Sequence, residues 1–232
     1  MVYLTSDLHG YPLEGIKRLL DKAGFTDDDL LFILGDVIDR GEHSIELLKW
    51  IMPKSNVRLL LGNHEAMLLS CSFLFDEVDE NSLADFTAFK LRKLDIWQSN
   101  GGYTTIRDLQ KESHASREAI IRFLEQCPLY ETVSVGGKDF LLVHGGLGGF
   151  REDRPFEDYS EFELLWSRPE LTTRFSERFT TVIGHTPTIY YGLEHRGRCL
   201  KTDTWIDIDA GASGGLSPML LRLDDMKEFR IE

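Results

Sequence analysis

The sequence predicts an α/β protein, and three observations carry that reading. The first third alternates short apolar runs with amphipathic stretches, the middle is helical in pattern and broken by glycine, and the last part returns to short strands. At the start, strands are expected at residues 2–5, 30–34 and 57–61, helices at 12–23 and 44–52, and a further helix from Glu65. The runs 30–34 and 57–61 are nearly continuous in apolar residues, the pattern of parallel strands covered on both faces. Residues from about 73 to 126 carry polar helical segments and the break Asn100-Gly101-Gly102, and read as a helical insertion. After Pro128, strands are expected at 132–135, 140–143, 181–183, 206–209 and 219–223, with an acidic, aromatic loop at 151–163 between them. These suggest a second, more antiparallel sheet. No repeat, heptad or Pro/Ser-rich linker divides the 232 residues, so the two sheets are expected to pack as one domain, 1–232, carrying the insertion.

Composition narrows the function. With 42% apolar residues the chain can bury a sizeable core, and no run of eighteen apolar residues suggests a membrane span. The start, Met1-Val2-Tyr3-Leu4-Thr5-Ser6-Asp7, has neither a basic segment nor a cleavable apolar stretch, so a cytoplasmic protein is expected. Cys71, Cys127 and Cys199 are odd in number and lack a C-x-x-C pattern, which argues against a disulfide framework. A formal charge of −13 argues against a polymeric nucleic acid or an anionic membrane as partner. An anionic substrate must then be captured by local positive charge, and bound divalent cations supply it at short range.

Five short segments place His, Asp and Asn beside glycine at predicted strand ends: Asp7-Leu8-His9-Gly10, Gly35-Asp36-Val37-Ile38-Asp39-Arg40-Gly41, Gly62-Asn63-His64-Glu65, His144-Gly145-Gly146 and Gly184-His185-Thr186-Pro187. In Asp7-Leu8-His9 an extended backbone puts both functional side chains on one side, so one cation can take both. Imidazole, carboxylate and amide donors without thiolates suit Mn, Fe or Zn rather than a Cys-type structural site. Any one segment is weak evidence, since a lone buried histidine is more often a satisfied core residue. Five in order, each following a strand and each accompanied by glycine, are specific.

With these motifs the chain resembles the phosphoprotein phosphatase family of the calcineurin-like metallophosphoesterase superfamily, in its compact phage and bacterial form. The resemblance extends to Trp97-Gln98-Ser99-Asn100-Gly101-Gly102, Leu165-Trp166-Ser167-Arg168 and Ile208-Asp209-Ala210-Gly211-Ala212. It implies a sandwich of two mixed β-sheets flanked by helices, and two divalent metal ions, Mn first with Fe or Zn as alternatives. It assigns Asp7 and His9 to the first metal, Asp36 as the bridge, and Asn63, His144 and His185 to the second. His64 becomes the general acid, Asp39 its orienting partner, and Arg40 and Arg168 the phosphate clamps. Two adjacent cations would lower the pKa of a shared water, giving metal-bound hydroxide for in-line attack at phosphorus. Arginine's planar fork matches phosphate oxygens. Trp97 and Trp166 read as packing anchors, and His43, His114 and His195 as solvated or core histidines without a role.

One departure divides the substrate reading. The family usually has an arginine before Gly-Asn-His, whereas Leu61 stands here. Diadenosine tetraphosphate hydrolases resemble the chain at that position but usually lack the aspartate that is Asp39. The reading is therefore a serine/threonine phosphoprotein phosphatase, extending to phosphotyrosine, with a phosphorylated protein or small phosphate ester as substrate. The alternatives are a dinucleoside polyphosphate hydrolase and a catalytically silent metal-binding scaffold, the last disfavoured by an intact His64 and six intact ligands. The sequence leaves the oligomeric state open.

Overall fold

A computed structural model describes residues 1–75 and 87–231. Strand β1 (Val2–Thr5) leads to helix α1 (Leu13–Ala23), β2 (Leu30–Ile33), α2 (Ser44–Ile51), β3 (Val57–Leu59) and α3 (Asn63–Ser70). Three helices follow, α4 (Ala88–Ser99), α5 (Tyr103–Gln110) and α6 (His114–Glu125). Then come β4 (Tyr130–Val135), β5 (Lys138–Val143), the short α7 (Glu161–Leu165), β6 (Thr180–Ile183), β7 (Leu200–Lys201), β8 (Trp205–Asp207), β9 (Met219–Arg222) and β10 (Lys227–Arg230). The expected helical insertion holds as α4 to α6, while its residues 76–86 lie outside the described residues.

Two five-stranded sheets form, with orders β10-β9-β1-β2-β3 and β4-β5-β6-β8-β7. Both are mixed: β1, β2 and β3 run parallel, β9 pairs antiparallel with β1 and β10 antiparallel with β9, and β5, β6 and β8 run parallel with antiparallel β4 and β7 at the edges. This corrects two expectations. The second sheet is no more antiparallel than the first, and residues 219–223 pair with β1 in the first sheet. Strand spacing along the sequence does not encode partners. Here β9 and β10 form a hairpin through Met226, whose φ is 58°, and the hairpin fills the free edge of β1. Strand β10, the two-residue β7 and α7 inside the aromatic loop lay beyond the sequence reading.

Alternation of side chains builds the layers. Leu4, Phe32 and Leu34 of the first sheet meet Leu142, Val182 and Ile206 of the second in one buried core between the sheets. The intervening Tyr3, Leu31 and Ile33 face outward onto α1, α2 and α3. Leu141, Val143 and Trp205 do the same on the far face of the second sheet, against Leu164 of α7. Each fully buried leucine or phenylalanine contributes about 1.5–3 kcal/mol. Helix α1 shows the local logic: Leu13, Ile16, Leu19, Leu20 and Ala23 share its buried face, Pro12 precedes the first turn where no N–H is needed, and Gly24 ends it at φ 71°. No helix among the described residues is long and apolar enough to cross a membrane.

Candidate metal centre

All five segments leave the C-terminal ends of strands: Asp7 and His9 after β1, Asp36 to Arg40 after β2, Asn63 and His64 after β3, His144 after β5 and His185 after β6. Parallel strands in both sheets thus deliver their loops to one edge of the sandwich, where α/β proteins place their sites. The backbone there is strained. Asp7, His9, Asp36, Asp39, Arg40 and His185 all have positive φ between 44° and 72°, a conformation costing a non-glycine residue about 1–3 kcal/mol. Among the described residues the only other such position is Met226 in the hairpin. Gly35 is required for close approach, because a Cβ there would collide with the Gly62 backbone and the His144 ring.

Asp36 sits at the centre. Its Oδ1 lies 3.4 Å from His144 Nε2, and its Oδ2 lies 3.7 Å from His9 Nε2 and 3.8 Å from His64 Nε2. Two groups of donors could each hold a cation, His9 with Asp36 and His64, and Asp36 with His144 and His185, each within 4.8 Å, so Asp36 belongs to both. Asp7 Oδ1 lies 4.0 Å from His9 Nε2, and Asp7 Oδ2 accepts the His185 N–H at 2.8 Å. Asn63 Oδ1 lies 2.9 Å from His144 Nε2. The six residues that the sequence names as metal-ligand candidates therefore converge, all of them buried.

The donor chemistry fits cations. His9 Nδ1 donates to the Ile38 carbonyl at 3.1 Å, which turns its Nε2 lone pair inward, and His144 Nδ1 donates to the Leu34 carbonyl at 2.6 Å, which aims its Nε2 at Asp36 and Asn63. His185 Nε2 is buried with no hydrogen-bond partner among the described residues, as fits a nitrogen that can donate its lone pair to a cation. Burial lowers the His9 imidazole to about 3 and His185 to about 2, so both are neutral donors at pH 7. Burial opposes charge on His144 too, but the carboxylate of Asp36 outweighs it and lifts the imidazole to about 10. Burial also raises Asp7 to about 6, while the His144 and His64 rings overcome burial at Asp36 and hold it well below the usual range.

Beside this centre, His64 Nδ1 donates to Asp39 Oδ2 at 2.6 Å, with both residues buried. Burial disfavours charge on His64, yet Asp36 and Asp39 together raise its pKa. Arg40 points Nη1 at His9 Nε2, 3.0 Å away, and Nη2 at His64 Nε2, 3.1 Å away. Arg168 lies across the centre, with Nη1 3.1 Å from Thr186 Oγ1 and 3.3 Å from the His185 carbonyl. A cavity of about 320 Å³, lined in part by Leu147, Ser167, Arg168 and Phe175, opens next to it. Leu61 is buried, its N–H donating to the Pro128 carbonyl.

Two residues matter more than their sequence context suggested. Glu65, fully buried, accepts from the backbone N–H groups of Asp36 at 2.8 Å, Val37 at 2.8 Å, Ile38 at 3.3 Å and Gly62 at 3.0 Å. One carboxylate thus ties the loop after β2 to the loop after β3. Trp97 is buried as expected of a packing anchor, but its indole N–H also donates to Asp39 Oδ2 at 2.8 Å. The available signals were Glu65 in the first turn of α3 and the glycine pair that follows Trp97. Trp166 packs edge-on against His185, with ring centroids 6.0 Å apart. His43 and His114 are solvated beside Glu46 and Glu118.

Residues 1–209 match the calcineurin-like phosphoesterase family, and the chain belongs to it: it is a hydrolase of phosphate esters. Serine/threonine-protein phosphatase 2 of Salmonella typhimurium is 24% identical over 223 residues, covering 93% of this chain and 90% of that protein. A symmetrical bis(5'-nucleosyl)-tetraphosphatase of Acidovorax ebreus is 30% identical over 148 residues, covering 63% of this chain and 44% of that protein. A solved protein serine/threonine phosphatase from Saccharomyces cerevisiae, with similarity to human phosphatase PP5, superposes with a TM-score of 0.62 at 18% identity, over all of this chain and 80% of that one. At that identity the likeness shows the fold alone. The centre is of the dinuclear metal type that the family uses.

Proposed function

We propose that this protein is a phosphoprotein phosphatase, acting on phosphoserine and phosphothreonine and extending to phosphotyrosine. The observation that carries the reading is the buried Asp39–His64 pair, with its 2.6 Å hydrogen bond. Asp7 and His9 would hold one divalent ion and Asn63, His144 and His185 a second, with Asp36 a donor to each; manganese is the first choice, with iron or zinc as alternatives. The ions supply Lewis-acid neutralisation of the phosphate and make water acidic enough to attack near neutral pH. Arg40 and Arg168 grip the phosphate oxygens from opposite sides. Once Arg40 turns to the phosphate, His64 Nε2 is free to carry a proton towards the leaving oxygen, while Asp39 keeps Nδ1–H and the ring orientation.

A serine alkoxide is so basic that it must be protonated as it leaves, whereas a nucleoside phosphate departs without help. A carboxylate holding an imidazole is useful for the first and nearly idle for the second. The match with the Salmonella phosphatase across 90% of its length supports this reading, against 44% for the tetraphosphatase. Leu61 favours the second reading, a dinucleoside polyphosphate hydrolase. We read the chain as one domain, and its three free cysteines fit a reducing cytoplasm.

The test measures kcat on a phosphoserine peptide, an activated aryl phosphate and a dinucleoside tetraphosphate, with metal content checked in each variant. His64→Asn should cost about 10²–10⁴-fold on the peptide and far less on the other two. Asp39→Asn should show the same selectivity at smaller size. Equal losses on all three, or wild-type turnover confined to the dinucleotide, would overturn the phosphatase reading.

A further inference from the structure

The helical stretch after residue 87 reaches the Asp39–His64 pair directly. Trp97, in the last turn of α4, sends its indole N–H to Asp39 Oδ2 at 2.8 Å, the same oxygen that accepts from His64 Nδ1 at 2.6 Å. Further along, the Gly101 carbonyl accepts the Arg40 N–H at 3.0 Å, and Thr105 Oγ1 accepts the Asp39 N–H at 3.0 Å. Asp39 and Arg40 are both held in left-handed backbone, at φ 72° and 67°, which persists only where the surroundings over-determine it. Residues 97, 101 and 105, on the α4–α5 elbow, supply much of that restraint.

The indole is itself fixed. It is fully buried and stacks on Gly102, where a Cβ would lie 2.5 Å from the indole Nε1, and the Trp97 carbonyl accepts the Gly102 N–H at 3.0 Å. Asp39 Oδ1 is buried and has no hydrogen-bond partner among the described residues. The side-chain hydrogen bonds that orient the carboxylate are therefore the two on Oδ2. Without the indole N–H, Asp39 could turn Oδ1 towards His64 or share its two oxygens between orientations, and the imidazole would lose its single aim.

We propose that Trp97 is a positioning residue for the His64–Asp39 pair, its indole N–H locking the carboxylate so that His64 Nε2 faces the leaving oxygen. The inference rests on the reading of His64 as proton donor. In that step an incoming water oxygen bonds to phosphorus as the P–O bond to the leaving group breaks, the electron pair of the broken bond passes to the leaving oxygen, and that oxygen takes the proton from Nε2. Asp39 stays ionised throughout. The α4–α5 elbow is then part of the leaving-group machinery, although no residue of it touches the reacting atoms.

The test uses the manganese-loaded protein with two replacements at one position. Trp97→Phe removes the N–H and some volume; the 3-benzothienylalanine analogue at 97 removes the N–H and keeps the bicyclic shape. Both are assayed on a phosphoserine peptide and an activated aryl phosphate, alone and combined with His64→Asn. The benzothienyl protein should lose about tenfold in kcat on the peptide and under about twofold on the aryl ester, a fraction of the whole general-acid contribution. Combined with His64→Asn it should lose nothing further, because both changes act through one proton. Independently of turnover, the Trp97 indole resonance of the 15N-labelled, metal-free protein should move on Asp39→Asn. Equal losses on both substrates, full additivity with His64→Asn, or an unmoved resonance would overturn the proposal. If His64→Asn alone struck both substrates equally, the proton-donor reading would fall first, a result distinguishable from a failure of Trp97 alone.

Discussion

Glu65→Gln should destabilise the protein severely, and the size of the effect follows from the hydrogen bonds it breaks. In the native protein each carboxylate oxygen serves two backbone donors: Oε2 takes Asp36 N–H and Gly62 N–H, and Oε1 takes Val37 N–H and Ile38 N–H. Glutamine keeps the shape but turns one oxygen into a donor, so two buried N–H groups face an NH2. Each buried donor left unsatisfied costs about 1–3 kcal/mol, giving about 2–6 kcal/mol in all. That is a large part of the roughly 5–15 kcal/mol that holds a domain folded. The value tends to the lower end, because burial, the largest influence, and the Asp36 charge already raise the Glu65 carboxyl to about 7. Urea unfolding of the metal-free proteins measures the loss, and calorimetric titration with manganese measures its consequence, a metal affinity weakened about 10–100-fold as the loops of Asp36 and Asn63 slip. A Glu65→Gln protein within about 0.5 kcal/mol of wild type would refute the argument and make the four bonds incidental.

Exhaustive chelation should abolish hydrolysis of an aryl phosphate, and titration of the metal-free protein with manganese should saturate at about two ions per chain; undiminished activity or a single site refutes the assignment. A pH prediction comes from Asp207, which is fully buried, with Oδ2 unpartnered among the described residues and its pKa raised well above 3.8, chiefly by burial and then by Asp209. A carboxyl whose folded pKa lies above its unfolded value favours folding most below pH 3.8 and loses that advantage as the pH rises towards the folded value. The metal-free Asp207→Asn protein should accordingly gain in melting temperature relative to wild type as the pH rises from 5 to 8, and a parallel profile for the two would refute the sign.

Much of the site was legible because ligand chemistry is carried by residue type and short spacing. Asp7-Leu8-His9 and Gly62-Asn63-His64 announce donors at strand ends, and the strands themselves show as apolar runs. Sheet partners were less visible: nothing in Met219–Arg222 distinguishes a partner of β1 from a partner of β8, since apolar alternation serves either. The supporting residues were hidden for a different reason. The role of Glu65 depends mostly on backbone N–H groups nearly thirty residues away, at residues 36 to 38, and that of Trp97 on a carboxylate 58 positions earlier, contacts that leave no local pattern.

The placement of the two arginines gives a way to count the phosphates the site grips. Arg40 reaches His9 and His64 on one side of Asp36, and Arg168 reaches Thr186 and His185 on the other, while Leu61 supplies no third cation between them. The monoester reading requires a single phosphate, bound beside Asp36, to meet both guanidinium groups. Charge-assisted hydrogen bonds contribute about 1.5–3 kcal/mol each, so Arg40→Ala and Arg168→Ala should each reduce kcat/KM by roughly 10–100-fold on a phosphoserine peptide with metal content unchanged. If one phosphate is shared, losing the first clamp lets it shift, and the second then has less to hold. The double variant should therefore lose markedly less than the product of the single losses. On a polyphosphate chain, where each arginine can take its own phosphate, the losses should multiply. Multiplicative losses on the phosphoserine peptide itself would show that the clamps do not share a phosphate, and would weaken the monoester reading at its geometric root.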